Sequence, residues 1–528
     1  MWKTSVHNVR DLILMQAAKY GDREYLVAKD EAFSFAKLDR RSRQVARGFT
    51  QLGIKKGDRV AVVIGNRPAF IFVWWGLLRI GAVMVPINLK LTGKEIAGII
   101  SHAEAKAVVL GELFGQSIQM LKPQCPMVEH WLRARKNDDE LSIETFFERW
   151  DDPPDIDVPI LAGDPALVLY TSGTTGFPKG VIHTHGDYLL TADSFARTIR
   201  LSEKDRLLTA NALFHVNAQF YSCMGTLVAG ATFILADKFS ASQLWSWTRL
   251  YQVNKLVLLL PLATILYNRP PLPDDADNPV ELVVAGGVPA GCYEDFQARF
   301  GVKLQTLYSL TEAPLAVMSP PDVPCRPGAV GLPMITDDHV PNEIRIVDKH
   351  LKTVPAGKTG EIVIRNPALM KAYLKNPEAT AKTLVDGWLR TGDQGTMDAD
   401  GWIRFLGRAK DVIRKKGENI SAVQVEQVIT LHPAVAETAV VGVRPADAVG
   451  EEEVMAFVVS VDNSAPDWQS LIAHCMDQLA EFKVPRFWKC IRSLPKNAMN
   501  RVIKKRLIDG DPPELSPGTY DRDKDIRC

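Results

Sequence analysis

The run from Phe70 to Ile87, FIFVWWGLLRIGAVMVPI, constrains this chain more than any other segment. So long an apolar stretch must either cross a membrane or be covered on every side by protein. Arg79 stands near its middle, Gly81 follows, and Pro86 lies near its end. An uninterrupted spanning helix tolerates these poorly. The pattern therefore predicts a buried helix over Arg67–Ile80 and a core strand over Ala82–Val85. With 528 residues the chain has enough length for a large core and two or more domains. The opening MWKTSVHNVRDLILMQAAKYGD has no long apolar region of the signal-peptide kind, so a cytoplasmic protein without a membrane partner is expected.

The same alternation of buried strand and helix continues along the chain. Strands are predicted at Val60–Ile64, Lys106–Leu110, Ala166–Tyr170, Lys255–Leu260, Glu281–Ala285 and Val302–Leu307. Thr92-Gly93-Lys94-Glu95 ahead of Ile96, Ile99 and Ile100 is a capping-box pattern. This rhythm implies an α/β fold of βαβ units on a largely parallel sheet. Asp151–Pro159 (DDPPDIDVP) reads as a loop. A second break at Gly407–Asp411 precedes a new pattern, with strands at Glu437–Val443 and Glu453–Ser460 and a helix near Trp468–Glu481. The organisation predicted is a large N-terminal domain of βαβ-type subdomains (1–407) and a small α+β C-terminal domain (408–528).

Net charge is +1 and no basic stripe interleaves with aromatics, which excludes a nucleic-acid partner. Seven cysteines without C-x-x-C spacing argue against structural zinc and against a disulfide framework. His183, His185 and His215 have no carboxylate or thiolate beside them at ligand spacing and do not read as a metal site.

Tyr170–Val181 reads YTSGTTGFPKGV, directly after an apolar strand. Gly173, Gly176 and Gly180 allow backbone N–H groups to turn inward as an anion nest, and Thr171, Ser172, Thr174 and Thr175 add hydroxyl donors. Lys179 brings a mobile positive charge. The Gly-Lys-Ser/Thr of a Walker A loop is missing.

This loop resembles the nucleotide-binding signature of the adenylate-forming superfamily of acyl-CoA synthetases, peptide-synthetase adenylation domains and luciferases. Similarity runs from Phe33-Ser34-Phe35 to about Arg506. It implies a mobile C-terminal domain and ATP held by the loop. Ala285-Gly286-Gly287 and Tyr308-Ser309-Leu310-Thr311-Glu312 resemble the adenine and acyl pocket. The resemblance implies Tyr308 on adenine, Thr311 at the α-phosphate and Glu312 on Mg²⁺, with Ser309 standing where the usual pattern has glycine. On its own, Thr-Glu would read as a helix start. Thr391-Gly392-Asp393 is similar to the segment whose aspartate holds ribose. Gly407–Ile413 is similar to the interdomain hinge, with Arg408 near ribose and phosphate and Lys410 as pivot. Arg414, Lys415, Lys416, Gly417 and Glu418 would then form the coenzyme A face, the alternative for Lys415 and Lys416 being a solvated basic turn. Leu213–Gln219 resembles the acyl-pocket segment, placing His215, Val216 and Asn217, with Gly287 and Ser309, around the acid. Relatives that activate amino acids tend to carry aspartate where this chain has His215, so an α-amino acid is disfavoured.

One motif departs. Pro495–Lys505 reads PKNAMNRVIKK, and the family usually has Gly-Lys where this chain has Asn500-Arg501. That lysine bridges the substrate carboxylate and the α-phosphate in the first half-reaction. Arginine keeps the charge but replaces a compact ammonium with a wide planar fork. The expectation is a ligase weak at making the adenylate yet able to pass a supplied acyl-adenylate to coenzyme A. The alternative is an ordinary two-step ligase in which Arg501 substitutes, or Lys496 or Lys504 reaches in. Over its full length the chain is most similar to the carnitine/crotonobetaine-CoA ligase-like group. Its late arginine is similar to split ligases of platensimycin-type diterpenoid pathways, which implies a separate adenylating ligase as partner and a bulky acid. Loading of a carrier protein, a luciferase-like oxygenase and a binding-only protein remain open alternatives. A homodimer is expected from the habit of relatives.

Overall fold

The computed structural model describes residues 6–111, 120–135, 141–171, 177–258, 262–286, 290–337, 339–408, 411–415, 418–445, 452–462, 464–497, 502–509, 516–524 and 526–527. Among these, the long apolar run at 70–87 divides as its interruptions require. Pro68–Arg79 is a helix begun by Pro68, whose missing N–H costs nothing in the first turn. Val83–Pro86 is a strand buried along its whole length. Among the described residues no helix is long and apolar enough to cross a membrane.

Val83–Pro86 sits inside a seven-stranded sheet, in the order 372–373, 179–184, 165–171, 83–86, 59–63, 107–110, 130–133. The strands from 83–86 outward to 130–133 pair in parallel, and their Val-rich sequences are covered on both faces. A nine-stranded sheet runs in the order 332–333, 313–318, 303–310, 282–285, 255–258, 206–209, 232–235, 24–28, 31–34. Each of these two sheets has an antiparallel hairpin toward one side: 165–171 with 179–184, and 303–310 with 313–318. The capping box read at Thr92 is present, with both reciprocal bonds to Glu95 made.

A third N-terminal sheet joins 343–347, 360–365, 388–397 and 384–385, with 403–408 on 388–397. Arg408 thus closes a strand of the larger unit. The C-terminal unit has a hairpin, 412–415 with 418–421, and a five-stranded sheet in the order 435–443, 453–460, 487–490, 519–521, 526–527. Helices Ala422–Thr430 and Trp468–Gln478 pack on its apolar face.

Arg79 is fully buried, and its charge is met from three sides. It pairs with Asp39, donates to Ser42 Oγ at 2.8 Å, and forks onto both carboxylate oxygens of Asp155 at 2.6 Å. Asp155 belongs to DDPPDIDVP, so this proline-rich loop is strapped to the domain. Arg43 holds it as well, through Pro153 O at 2.6 Å and Asp152 at 2.7 Å. Removing Arg79 takes both its bonds from Asp155 and leaves the largely buried Asp39 with Arg43 alone. Arg79→Ala is expected to cost about 3–5 kcal/mol, measured as a fall in the urea midpoint of the N-terminal domain.

Candidate active site

The glycine-rich motif is the connection of the first hairpin. Thr171 pairs with Lys179 and Tyr170 with Gly180 on either side of it. Ser172, Gly173, Thr174, Thr175 and Gly176 lie outside the described residues. Gly180 has no room for a side chain: a Cβ there would lie 2.9 Å from Val168 and 3.1 Å from the Tyr170 ring. The far edge of Lys179–Thr184 pairs with Ala372-Tyr373. That pairing brings the Tyr373 ring under Lys179, whose ammonium lies 4.6 Å from the ring centroid.

Thr311 and Glu312 are the two turn residues of the second hairpin, since Leu310 pairs with Ala313. The helix start that Thr-Glu suggests in isolation is not what forms. Strand pairing on both sides overrides the local preference. The turn is tied down from three positions. His183 Nε2 meets Thr311 O at 2.7 Å, Met370 N donates to Glu312 O at 2.9 Å, and the Tyr373 hydroxyl donates to Glu312 Oε1 at 2.8 Å. His183 Nδ1 in turn lies 3.0 Å from Asp187 Oδ2, and Lys371 lies 3.0 Å from Asp187 Oδ1. Burial opposes ionisation of Asp187, but His183, Lys371 and the Thr184 N–H hold its carboxyl below the usual carboxylate range. Among the described residues Glu312 Oε2 has no hydrogen-bond partner. A single free carboxylate oxygen suits Mg²⁺, which takes few protein ligands and fills the rest with phosphate and water.

Tyr308, Asp393 and Arg408 form a second cluster. The Tyr308 hydroxyl donates to Asp393 Oδ2 at 2.7 Å, and Arg408 Nε lies 2.9 Å from Asp393 Oδ1. Arg408 also donates to Thr391 O at 3.0 Å. Gly392 has φ +68°, the left-handed turn that lets Thr391 Oγ1 accept from Asp393 N. Burial, and then Asp393 beside it, push the Tyr308 phenol well above its ordinary value.

At the acyl segment, the half-buried His215 packs on Phe214 with centroids 4.5 Å apart. Val216 leads into a π-helical stretch, Asn217–Cys223, that is buried throughout. Asn217 Oδ1 accepts from Asn211 Nδ2 at 3.0 Å. Ser309 is half-buried in the strand Lys303–Leu310, and the Tyr221 hydroxyl donates to Pro314 O in the neighbouring strand. Gly286 is buried at the end of the 282–285 strand, and Gly287 is outside the described residues.

In the C-terminal unit, Arg414 is exposed, but Lys415 is not on a solvated turn. Its side chain is 8% exposed and its ammonium is 2.7 Å from Glu453 Oε2. Lys410, Lys416, Gly417, Arg501 and the Glu418 side chain lie outside the described residues. Lys496 meets Glu437 at 2.5 Å, and Lys504 meets Glu426 at 2.7 Å. Lys496 bridges to Val502, closing the base of the loop that carries Arg501. The sequence motifs do not mark Tyr373, His183 or Asp187 as site residues. No spacing singles them out, and only strand pairing brings them to the two turns.

The profile of the AMP-binding enzyme family matches residues 14–374, and that of the AMP-binding enzyme C-terminal domain matches 424–500. The chain is 34% identical to a crotonobetaine/carnitine–CoA ligase of Salmonella typhimurium (strain LT2) over 516 residues, covering 95% of this chain and 98% of that protein. It superimposes on an anthranilate CoA ligase in complex with anthranoyl-AMP with a TM-score of 0.86 at 25% identity, covering 95% of this chain and 97% of the other. For ATP-bound MatB of Rhodopseudomonas palustris the TM-score is 0.83 at 28% identity, with 95% and 98% covered.

The three histidines considered as metal ligands have separate surroundings. His183 supports the Thr311 turn, His215 packs on Phe214, and His185 is buried, its Nδ1 accepting from Val9 N at 3.3 Å. Burial lowers the His185 pKa from 6.5 to about 4. The native state therefore refuses a proton that the unfolded chain accepts, and stability falls as pH drops from 6.5 toward 4. At one pKa unit per 1.36 kcal/mol, the loss approaches about 3 kcal/mol. Urea unfolding of His185→Gln over this window is expected to show a correspondingly shallower pH dependence than the parent.

Proposed function

The chain belongs to the AMP-binding enzyme family and has the adenylate-forming fold of its acyl-CoA ligases, and from that premise we propose that it works chiefly on the second half of their reaction. In the full sequence of steps, a carboxylate oxygen attacks the α-phosphorus of ATP and pyrophosphate leaves. The thiol sulfur of coenzyme A then attacks the acyl carbon, AMP leaves, and the thiol proton passes to solvent. No covalent enzyme intermediate is needed, so the protein's work is placement and charge compensation. Lys179 and the glycine-rich loop would hold phosphate oxygens, Thr311 the α-phosphate, and the Asp393–Arg408 pair the ribose. Mg²⁺ on Glu312 would neutralise phosphate charge.

The observation that carries the reading is Arg501 together with the state of its neighbours. Lys496 and Lys504, the two lysines that could stand in for the missing one, are each committed to a carboxylate within the C-terminal unit. Withdrawing either would break that ion pair. The group offered to the carboxylate–phosphate junction is then the guanidinium, whose width misplaces charge that must sit to within about 1 Å. The acyl donor would be an adenylate made by a separate ligase. Coenzyme A is the acceptor by likeness to the CoA ligases that share this fold; their acids are not carried over. His215, Asn217 and Ser309 would face the acid.

A second reading, an ordinary ATP-dependent two-step ligase, is favoured by the assembly of Lys179, Glu312, Tyr308, Asp393 and Arg408. A split assay separates the two. Wild-type protein given preformed acyl-adenylate and coenzyme A is expected to yield thioester, while acid with ATP yields little exchange of pyrophosphate. Arg501→Lys is expected to raise that exchange by about 10²-fold, the scale of one well-placed transition-state donor. Brisk exchange by the wild type would sink the proposal in favour of the two-step ligase.

A further inference from the structure

Lys179 and Glu312, one from each of the two large sheets, both meet Tyr373, and adenylate chemistry needs both unencumbered: an ammonium for phosphate and a carboxylate for metal. In a partly buried setting such a pair gains by closing into a direct ion pair, which would silence both. Among the described residues they make no such contact, each meeting Tyr373 instead. Tyr373 stands between them, its ring seating the Lys179 ammonium at 4.6 Å and its hydroxyl holding Glu312 Oε1 at 2.8 Å. The phenol is itself fixed. Tyr373 is 6% exposed, it pairs with Val181 in the sheet, and its backbone N–H donates to Thr380 Oγ1 at 2.9 Å.

From this geometry we propose that Tyr373 is a positioning residue that keeps Lys179 and Glu312 apart and leaves Oε2 of Glu312 as the oxygen that takes magnesium. The hydroxyl occupies one carboxylate oxygen, so the metal is bound through the other alone, which fits a cation that keeps most of its water. Partners that orient a metal-binding carboxylate commonly matter about 10- to 100-fold in metal affinity. The ring offers the ammonium a weak, non-ionic seat that phosphate displaces easily. The proposal rests on assigning Lys179 to phosphate and Glu312 to magnesium. It is independent of Arg501, so a protein that adenylates at full rate leaves it standing.

The test is ATP binding to the full chain by titration calorimetry over a magnesium series, which needs no turnover. In Tyr373→Phe the spacer stays and Oε1 is freed. The magnesium needed for half-maximal ATP binding is expected to rise about tenfold or more, with affinity at saturating magnesium changed by about twofold. In Tyr373→Ala the lysine and glutamate can close on each other, and magnesium-free ATP affinity is expected to fall about tenfold, the scale of losing one charged phosphate contact. Adding Glu312→Gln removes the attraction and is expected to restore that affinity. A residue of merely structural importance would not show this rescue. A wild-type magnesium requirement in Tyr373→Phe, or ATP binding that ignores magnesium in the parent, would overturn the Oε2 assignment. A double variant no better than Tyr373→Ala would overturn the spacer role. Unchanged thermal midpoints in all variants exclude misfolding as the cause.

Discussion

The strand Lys179–Thr184 holds the rest of the site in place. One edge pairs antiparallel with Pro165–Thr171 and so forces the glycine-rich turn; the other edge pairs with Ala372-Tyr373. Its first residue is the Lys179 ammonium, and its fifth, His183, crosses to the second sheet through Thr311 O. Its last, Thr184, caps the helix His185–Thr198 in a reciprocal box with Asp187, which returns to hold His183. Six residues therefore fix Lys179, the Thr311–Glu312 turn and the start of the helix His185–Thr198. A slip by one residue would turn Lys179 and His183 to the opposite face.

Parallel strands supply most of the core, yet Lys179, Thr311 and Glu312 lie at the two antiparallel hairpins. Parallel neighbours need long crossovers, whereas a hairpin reverses within a few residues and exposes its backbone at the turn. In this protein one turn carries the glycine-rich loop and the other carries Thr311 and Glu312, and the His183–Thr311 contact joins them.

The fold was legible where the signals are local. Strand positions such as 59–63, 107–110 and 453–460 come from apolar runs, the 93–102 helix from its cap, and the buried helix and strand from the interruptions at Arg79 and Pro86. Legibility failed where a residue's role is set by a partner distant in sequence. Thr311-Glu312 looks like a helix start until residues 303–310 and 313–318 pair. Lys415 looks solvated until Glu453 lies beside it. DDPPDIDVP has the composition of a free loop, but Arg43 and Arg79 strap it down. Tyr373 is an unremarked aromatic in a short strand, and its meaning exists only once 179–184 lies next to it.

The π-helical stretch Asn217–Cys223 bears on how relatives of this protein diverge. A π turn accommodates one residue beyond the α pattern, and its backbone bonds shift readily to α spacing. Loss of a single residue there would let the stretch close to α spacing and leave the continuation Met224–Ala229 facing as it does now. Only the side chains of the π stretch itself would change, and the strand order of the two large sheets would be untouched. One small deletion would thus change the buried side chains that follow Val216 in a single heritable step while the helix beyond them keeps its packing.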